Sequence, residues 1–283
     1  MRSFRVCGVV SCKMIDEHSI KKIISLRFRR LKKNYDKLDS FDIDVIHDFR
    51  VEYKRLRAFI RLLSAGATRK QLKLPSSLKQ VYKKAGVIRD LQLNIENLKN
   101  LNNGPGAIKE TLRAQKAGLA VAKRDLNKVI GSQLLNESKK EIEKQIPNRL
   151  GSDAIGEFSF SKLQEIKSIL AAGIIRDDGL HQVRKNVKDI LYNAKVFEKE
   201  LSNRFPWTEW NANEERRFVK LAEILGNYQD ITTMIGHLGE KGVARSTNES
   251  ENIGVIRVNQ QRLKKKMKRD LLNELSRIEI FQF

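Results

Sequence analysis

The chain has 283 residues, 40% hydrophobic and 32% charged, enough to bury a core and too apolar for global disorder. Four prolines, few aromatics and abundant Leu, Ile, Lys and Glu point to an all-α protein. Against 34 Asp and Glu stand 56 Lys and Arg, a formal charge of +22, so the expected partner is a polyanion: nucleic acid, an anionic membrane surface or a chain of inorganic phosphates.

Residues 1–15, "MRSFRVCGVVSCKMI", read as an N-terminal extension with too short an apolar piece for a secretory signal. Its Cys7 and Cys12 have no further cysteines with which to build a zinc site or disulfide framework, so reduced thiols in a cytoplasmic protein are expected. No apolar run reaches the ~18 residues of a membrane span. From Asp16 onward helical periodicity dominates. "DEHSIKKIISLRFRRLKKNYDKL" opens with acids and closes with bases, matching a helix dipole, and "DSFDID" supplies capping residues before a helix over 43–65. A third helix is predicted from about 77 to 101, stopped by "NNGPG", and a long fourth from roughly 107 to 146, ending at Pro147.

"PNRLGSDAIGEFS" reads as the boundary between two halves, 16–146 and 155–283. After it, helices are predicted at about 160–172, 178–204, 212–240 and 251–280. Four helices on either side, with short connections, predict two four-helix bundles.

The second helix of the first half carries the most unusual pattern. In "IHDFRVEYKRLRAFIRLL", His47, Arg50, Lys54, Arg57 and Arg61 fall within an arc of roughly 80° on one face. Phe49, Tyr53, Leu56, Ile60 and Leu63 form the adjoining core stripe, while Val51, Ala58 and Leu62 flank the cations on the other side. Cations between two apolar flanks suggest a groove. The second half repeats the pattern in "HQVRKNVKDILYNAK": His181 matches His47, Arg184 matches Arg50, Lys188 matches Lys54 and Lys195 matches Arg61, but Leu191 stands opposite Arg57. The following helices agree as well. "AGVIRDL" and "LGNYQDI" align Gly86 with Gly226 and Asp90 with Asp230, while Gln229 stands where the first half has Arg89. Repetition on this scale predicts a duplicated bundle with approximate two-fold symmetry.

The pattern His-x-x-Arg-x-x-x-Lys-x-x-Arg, followed on the next helix by Gly-x-x-Arg-Asp and repeated in the second half with departures at Leu191 and Gln229, resembles the CHAD family, the conserved-histidine α-helical domain. The resemblance covers roughly residues 16–283. It implies two pseudo-symmetric four-helix bundles that bind inorganic polyphosphate through basic residues lining a groove or central channel, without catalysis and without a cofactor. Attachment to polyphosphate granules would be one use of such binding. The Glu-x-Glu-x-Lys signature of the CYTH triphosphatase domain that often accompanies the family is absent, since "EIEKQ" has Gln145 in the lysine position.

The candidate ligand residues are therefore His47, Arg50, Lys54, Arg57, Arg61, Arg89, His181, Arg184, Lys188 and Lys195. The alternative for the cations is an ordinary basic face paired with acids elsewhere, and for Arg89 a salt bridge. His47 and His181 are either phosphate donors that charge below about pH 6.5 or structural rings held by a carboxylate, Asp90 and Asp230 being the candidates. Arg27, Arg30 and Lys33 repeat at threefold spacing and are secondary candidates, with a solvated face as the alternative. "LKKKMKR" at 263–269 reads as solvated surface. Two rivals accompany the polyphosphate reading. A nucleic-acid binder would interleave exposed aromatics with the basics, whereas Phe49, Tyr53 and Phe59 lie towards the core. A phosphohydrolase would need a metal-binding carboxylate cluster, and no convincing spacing for one is present.

Overall fold

The computed structural model describes residues 14–66, 72–100, 108–201, 205, 210–239 and 247–276; Cys7, Cys12, Gly104, Gly106 and Trp207 lie outside them. The described chain is all-α, as expected. Its helices are α1 (Glu17–Tyr35), α2 (Ile43–Ala65), α3 (Ser76–Asn100), α4 (Lys109–Asn127), α5 (Leu134–Glu143), α6 (Ser152–Leu170), α7 (Asp177–Glu200), α8 (Ala212–Leu238) and α9 (Thr247–Ser276). One very short antiparallel pair joins β1 (Ile15–Asp16) to β2 (Arg149–Leu150), tying the start of α1 to the connection between the halves.

The predicted caps form. Asp16 accepts a hydrogen bond from the Ser19 amide at 2.7 Å, and Asp42 accepts from the amides of Asp44 and Val45 at 2.9 and 3.0 Å. Each satisfies first-turn donors that a helix leaves unpaired. Two expectations need correction. The single helix expected over 107–146 is broken into α4 and α5, because the Tyr35 hydroxyl reaches across to Gly131. It donates to the Gly131 carbonyl and accepts from its amide, both at 3.0 Å, so the break is satisfied by a residue 96 positions away. The segment read as the boundary, moreover, is largely helical: α6 begins at Ser152, with Asp153 in its first turn, rather than near residue 160.

Consecutive helices pack as α1–α2, α2–α3 and α3–α4, then as α6–α7, α7–α8 and α8–α9. The halves meet chiefly where α2 packs on α7, with further contacts of α2 with α6 and of α3 with α8. One buried apolar cluster runs through both halves, from Ile20, Phe49 and Leu56 to Val187, Ile190, Phe218 and Leu271. Trp210 packs in it edge-on between Phe205 and Phe218, the packing role expected for a loop tryptophan. A smaller cluster gathers Leu98, Ile108, Met234, Leu238, Ile253 and Ile256 between α3, α8 and α9. Polar ties set the α2–α7 register: Asn193 Nδ2 donates to the Ala58 carbonyl at 3.2 Å, and Arg61 pairs with Asp189 at 2.7 Å.

Candidate functional site

Because α2 and α7 are in contact, their two basic stripes are brought together. Lys54 sits at the centre. It is partly buried, makes no hydrogen bond or ion pair, and feels the charges of Arg50 and Arg57 from its own helix and of Arg184 and Lys188 from α7. Burial, and then those four cations, hold its amine down at about 7 instead of 10.5. Lys188 is lowered for the same reasons, burial first and then Arg184, Lys195 and Arg55. Here cations are concentrated, and the nearby Asp90 and Asp230 feel the charge of Lys54 without forming an ion pair with it.

The arginines around Lys54 are placed by tertiary contacts. Arg50 extends over α3, donates from Nη1 to the Tyr82 carbonyl at 3.1 Å, and lies 4.8 Å from the Tyr82 ring centre. Its guanidinium occupies the space over Gly86, where a Cβ would overlap Nη1. Arg184 sits likewise over Gly226, more loosely: a Cβ there would be 3.6 Å from Nη2. The close approach explains the glycine at position 86, where α3 must leave room for the arginine to cross; at position 226 a methyl would make only ordinary contact. Arg57 lies 5.6 Å from the Tyr82 ring centre, and Tyr82 is stacked on Tyr53 with centres 4.0 Å apart. Arg57 Nε, Arg89 Nη1 and Arg184 Nε are buried donors with no partner in the protein. A buried N–H left unpaired is costly, so three of them around one cleft mark places where an acceptor fits.

The histidines occupy related positions but differ in partner. His181 Nδ1 pairs with Gln229 Oε1 at 2.9 Å. His47 is exposed and without a hydrogen-bond partner, and its nearest strong influence is Arg89, the residue matching Gln229. Of the two alternatives for the histidines, a ring held by Asp90 or Asp230 is not what the structure shows: a glutamine amide holds His181, and Arg89 is the strongest charge acting on His47. Partial desolvation and then neighbouring cations push both imidazoles below 6.5, although His47 is exposed at the surface. The two aspartates instead line a small cavity between α3 and α8 with Asn94, Asn97 and His237. Partial desolvation in the cavity raises both carboxyls, although both residues are exposed at its edge. It does so despite the pull of Arg50 on Asp90 and of Arg184 on Asp230, and the charge of Asp90 adds to the rise at Asp230.

Not every predicted residue joins the cleft. Arg27 is 3% exposed and bonded to Glu200 at 2.6 Å and to Glu52 at 3.5 Å. Glu52 projects from α2 roughly opposite its basic stripe, so Arg27 belongs to a buried ion cluster joining α1, α2 and α7. Arg30 extends that cluster, 3.1 Å from Glu200. Lys33 is an exposed residue of α1. Arg61 reaches the cleft rim but is paired with Asp189. Lys195 is partly buried and adds charge beside Lys188. Leu191 is 4% exposed within the main core, so the position matching Arg57 does not face the cleft at all. The basic run of α9 is less solvated than expected, since Lys264 and Lys268 both turn towards Asp177.

Sequence reasoning missed Arg55, Tyr82 and Tyr192. Arg55 pairs with Glu52 and lies 5.9 Å from the Tyr192 ring centre, and Lys188 Nζ lies 5.7 Å from the same ring. The signal available was a tyrosine four residues before Gly86 and another four after Lys188; its value depended on knowing that α2 meets α7. Among the described residues no group of three or more His, Cys, Asp or Glu is arranged to hold a metal ion, and no helix is long and apolar enough to cross a membrane.

These features define an all-α protein with basic residues concentrated where α2 packs on α7. The chain belongs to the CHAD family, whose domain model matches residues 22–239. It is similar in fold to the crystal structure of the CHAD domain from the plant Ricinus communis, with 13% identity, 93% of this chain and 88% of that one covered, and a TM-score of 0.61. It is similar also to PptA from Streptomyces chartreusis, with 10% identity, 93% and 99% covered, and a TM-score of 0.66. At such identities the likeness is one of fold. Comparison with curated proteins gives no match.

Proposed function

We propose that this protein binds inorganic polyphosphate, without catalysis, in the cleft between α2 and α7. The observation that carries the reading is the setting of Lys54: an amine that makes no ion pair and faces cations from both halves. Such a cluster is destabilising in the empty protein and is relieved by a ligand with closely spaced negative charges. The unpaired donors of Arg57, Arg89 and Arg184 add directional N–H groups suited to phosphate oxygens. From His47 to Arg61 α2 rises about 21 Å, a length that spans several consecutive phosphates. Membership of the CHAD family agrees with this ligand, and attachment to polyphosphate granules would be its natural consequence in a cell.

Nucleic acid is the rival partner. The aromatics beside the cleft favour bare phosphate, because Tyr53 is buried and Tyr82 is flanked by Tyr53 and by the guanidinium groups of Arg50 and Arg57. A base would find those rings already engaged. The test is competition at about 150 mM salt, where weak exposed charge pairing is screened. Long-chain polyphosphate should remain bound against an equal concentration of phosphate supplied as single-stranded RNA. Ready displacement by the RNA would refute the proposal.

A further inference from the structure

The two halves are unequal on the α3 side of the cleft. Between α2, α3 and residues 72–74 just before α3 lies a pocket of about 340 Å³ whose lining includes Arg57, Arg61, Lys73, Lys79, Lys83 and Tyr82. Carrying the Gly86–Gly226 correspondence along α3 and α8 gives the matching positions in the second half. Lys79 corresponds to Val219, Tyr82 to Ala222 and Lys83 to Glu223. Arg57 corresponds to the core residue Leu191. Cations and a ring that carries them on one side are thus replaced on the other by apolar residues and an acid.

The face of α3 that meets the cleft is also graded along its length. Lys79, Lys83, Gly86 and Asp90 fall within an arc of roughly 60°, and Lys79 stands about 16 Å along the axis from Asp90. Between them the Arg50 guanidinium lies over Gly86. At the far end Asp90 meets Asp230 across the α3–α8 cavity, where the buried Asn94 amide offers no charge. Two carboxylates, partly offset by Arg50, Arg89 and Arg184, disfavour a phosphate chain at that end. Arg57, Lys73, Lys79 and Lys83 attract it at the other, with Arg61 beside them paired to Asp189.

Resting on the polyphosphate reading, we propose that the polyanion leaves the shared cleft in one direction only, turning at Arg57 into the α2–α3 pocket, which binds the additional phosphates of long chains. Short chains occupy the central cleft around Lys54 and do not reach Lys79 and Lys83. Chain-length discrimination is then a property of the first half. The pocket takes phosphate groups and not bases, since the Tyr82 ring on its wall is stacked on Tyr53 and covered by arginines.

The test compares tripolyphosphate with long-chain polyphosphate on the full chain carrying Lys79→Ala and Lys83→Ala. Both residues are exposed, so folding is preserved. A control removes two exposed lysines of α9, Lys265→Ala with Lys266→Ala. The pocket variant should lose about five- to tenfold in long-chain affinity, keep its tripolyphosphate affinity, and show a long-chain salt dependence shallower by about 1.5–2 log units per log unit of salt. The α9 control should bind both ligands as the parent does. Equal losses for short and long chains, no loss, or the same loss in the α9 control would overturn the proposed path while leaving the cleft itself intact. A parent protein that binds neither ligand would instead refute the polyphosphate reading on which the path rests.

Discussion

Arg50 lies where a side chain at Gly86 would have to go, and it is held there by the Tyr82 carbonyl at 3.1 Å. Arg184 stands over Gly226 with room to spare. Gly86→Ala should therefore expel the Arg50 guanidinium, lose a hydrogen bond that contributes about 1 kcal/mol, and weaken polyphosphate binding several-fold. In Gly226→Ala the added methyl makes ordinary contact, so the helix gains up to about 1 kcal/mol and binding stays near the parent value. Thermal melts and titration of both variants check this; matching behaviour would mean that the close approach at Gly86 has no functional weight.

The cleft should respond to pH through Lys54 more than through its histidines near neutrality. Burial and neighbouring cations lower the Lys54 amine to about 7, whereas the same influences take His47 and His181 below 6.5. The folded value lies below the unfolded one, so keeping Lys54 charged opposes folding fully below pH 7. That opposition fades as pH rises from about 7 towards 10.5. Polyphosphate favours the charged amine, so binding takes up a proton near and above pH 7, and affinity falls as pH rises from about 7 upward. Calorimetry in buffers of different ionisation enthalpy measures the uptake. Lys54→Arg keeps its charge and should flatten the profile; an unchanged slope in that variant would assign the titration elsewhere.

Arg27 tests the distinction between the cleft and the ion cluster behind it. Removing the guanidinium leaves Glu200 with Arg30 alone and Glu52 with Arg55 alone and empties a buried space between three helices, so Arg27→Ala should cost about 2–3 kcal/mol of stability. Polyphosphate affinity, measured well below the lowered melting temperature, should be unchanged. A specific loss of affinity with little loss of stability would return Arg27 to the ligand site.

Leu191→Arg looks on sequence like restoration of the missing cation of the second stripe. Because Leu191 is buried, the variant should be destabilised by at least about 2 kcal/mol and gain no affinity. Tighter binding at unchanged melting temperature would show that this position can reach the cleft.

The helical class, the caps at Asp16 and Asp42, and the stripe from His47 to Arg61 were all legible in the sequence, because each rests on local spacing. Repetition of the stripe also pointed correctly to α2 and α7 as the elements that meet. Spacing reports a face of a helix but not what lies across from it. Arg27 shares the threefold rhythm of a surface row, yet Glu52 and Glu200 draw it into the interior. Leu191 keeps the register of Arg57 while facing the core. The break between α4 and α5 depends on Tyr35, far away in the chain, and the pairing of His181 with Gln229 depends on the packing of α7 against α8. The basic pocket around Lys79 and Lys83 was missed for a similar reason: its residues come from two helices and their connection, and none forms a motif alone.

The central claim is that both halves together hold one polyphosphate chain. The most direct measurement is long-chain polyphosphate affinity at about 150 mM salt for Arg50→Ala with Lys54→Ala, and for Arg184→Ala with Lys188→Ala. Each pair should cost at least about tenfold, the first more than the second, because α2 also contributes Arg57 and leads into the side pocket. Parent-like binding by either pair, with the protein folded, would contradict a ligand shared between α2 and α7.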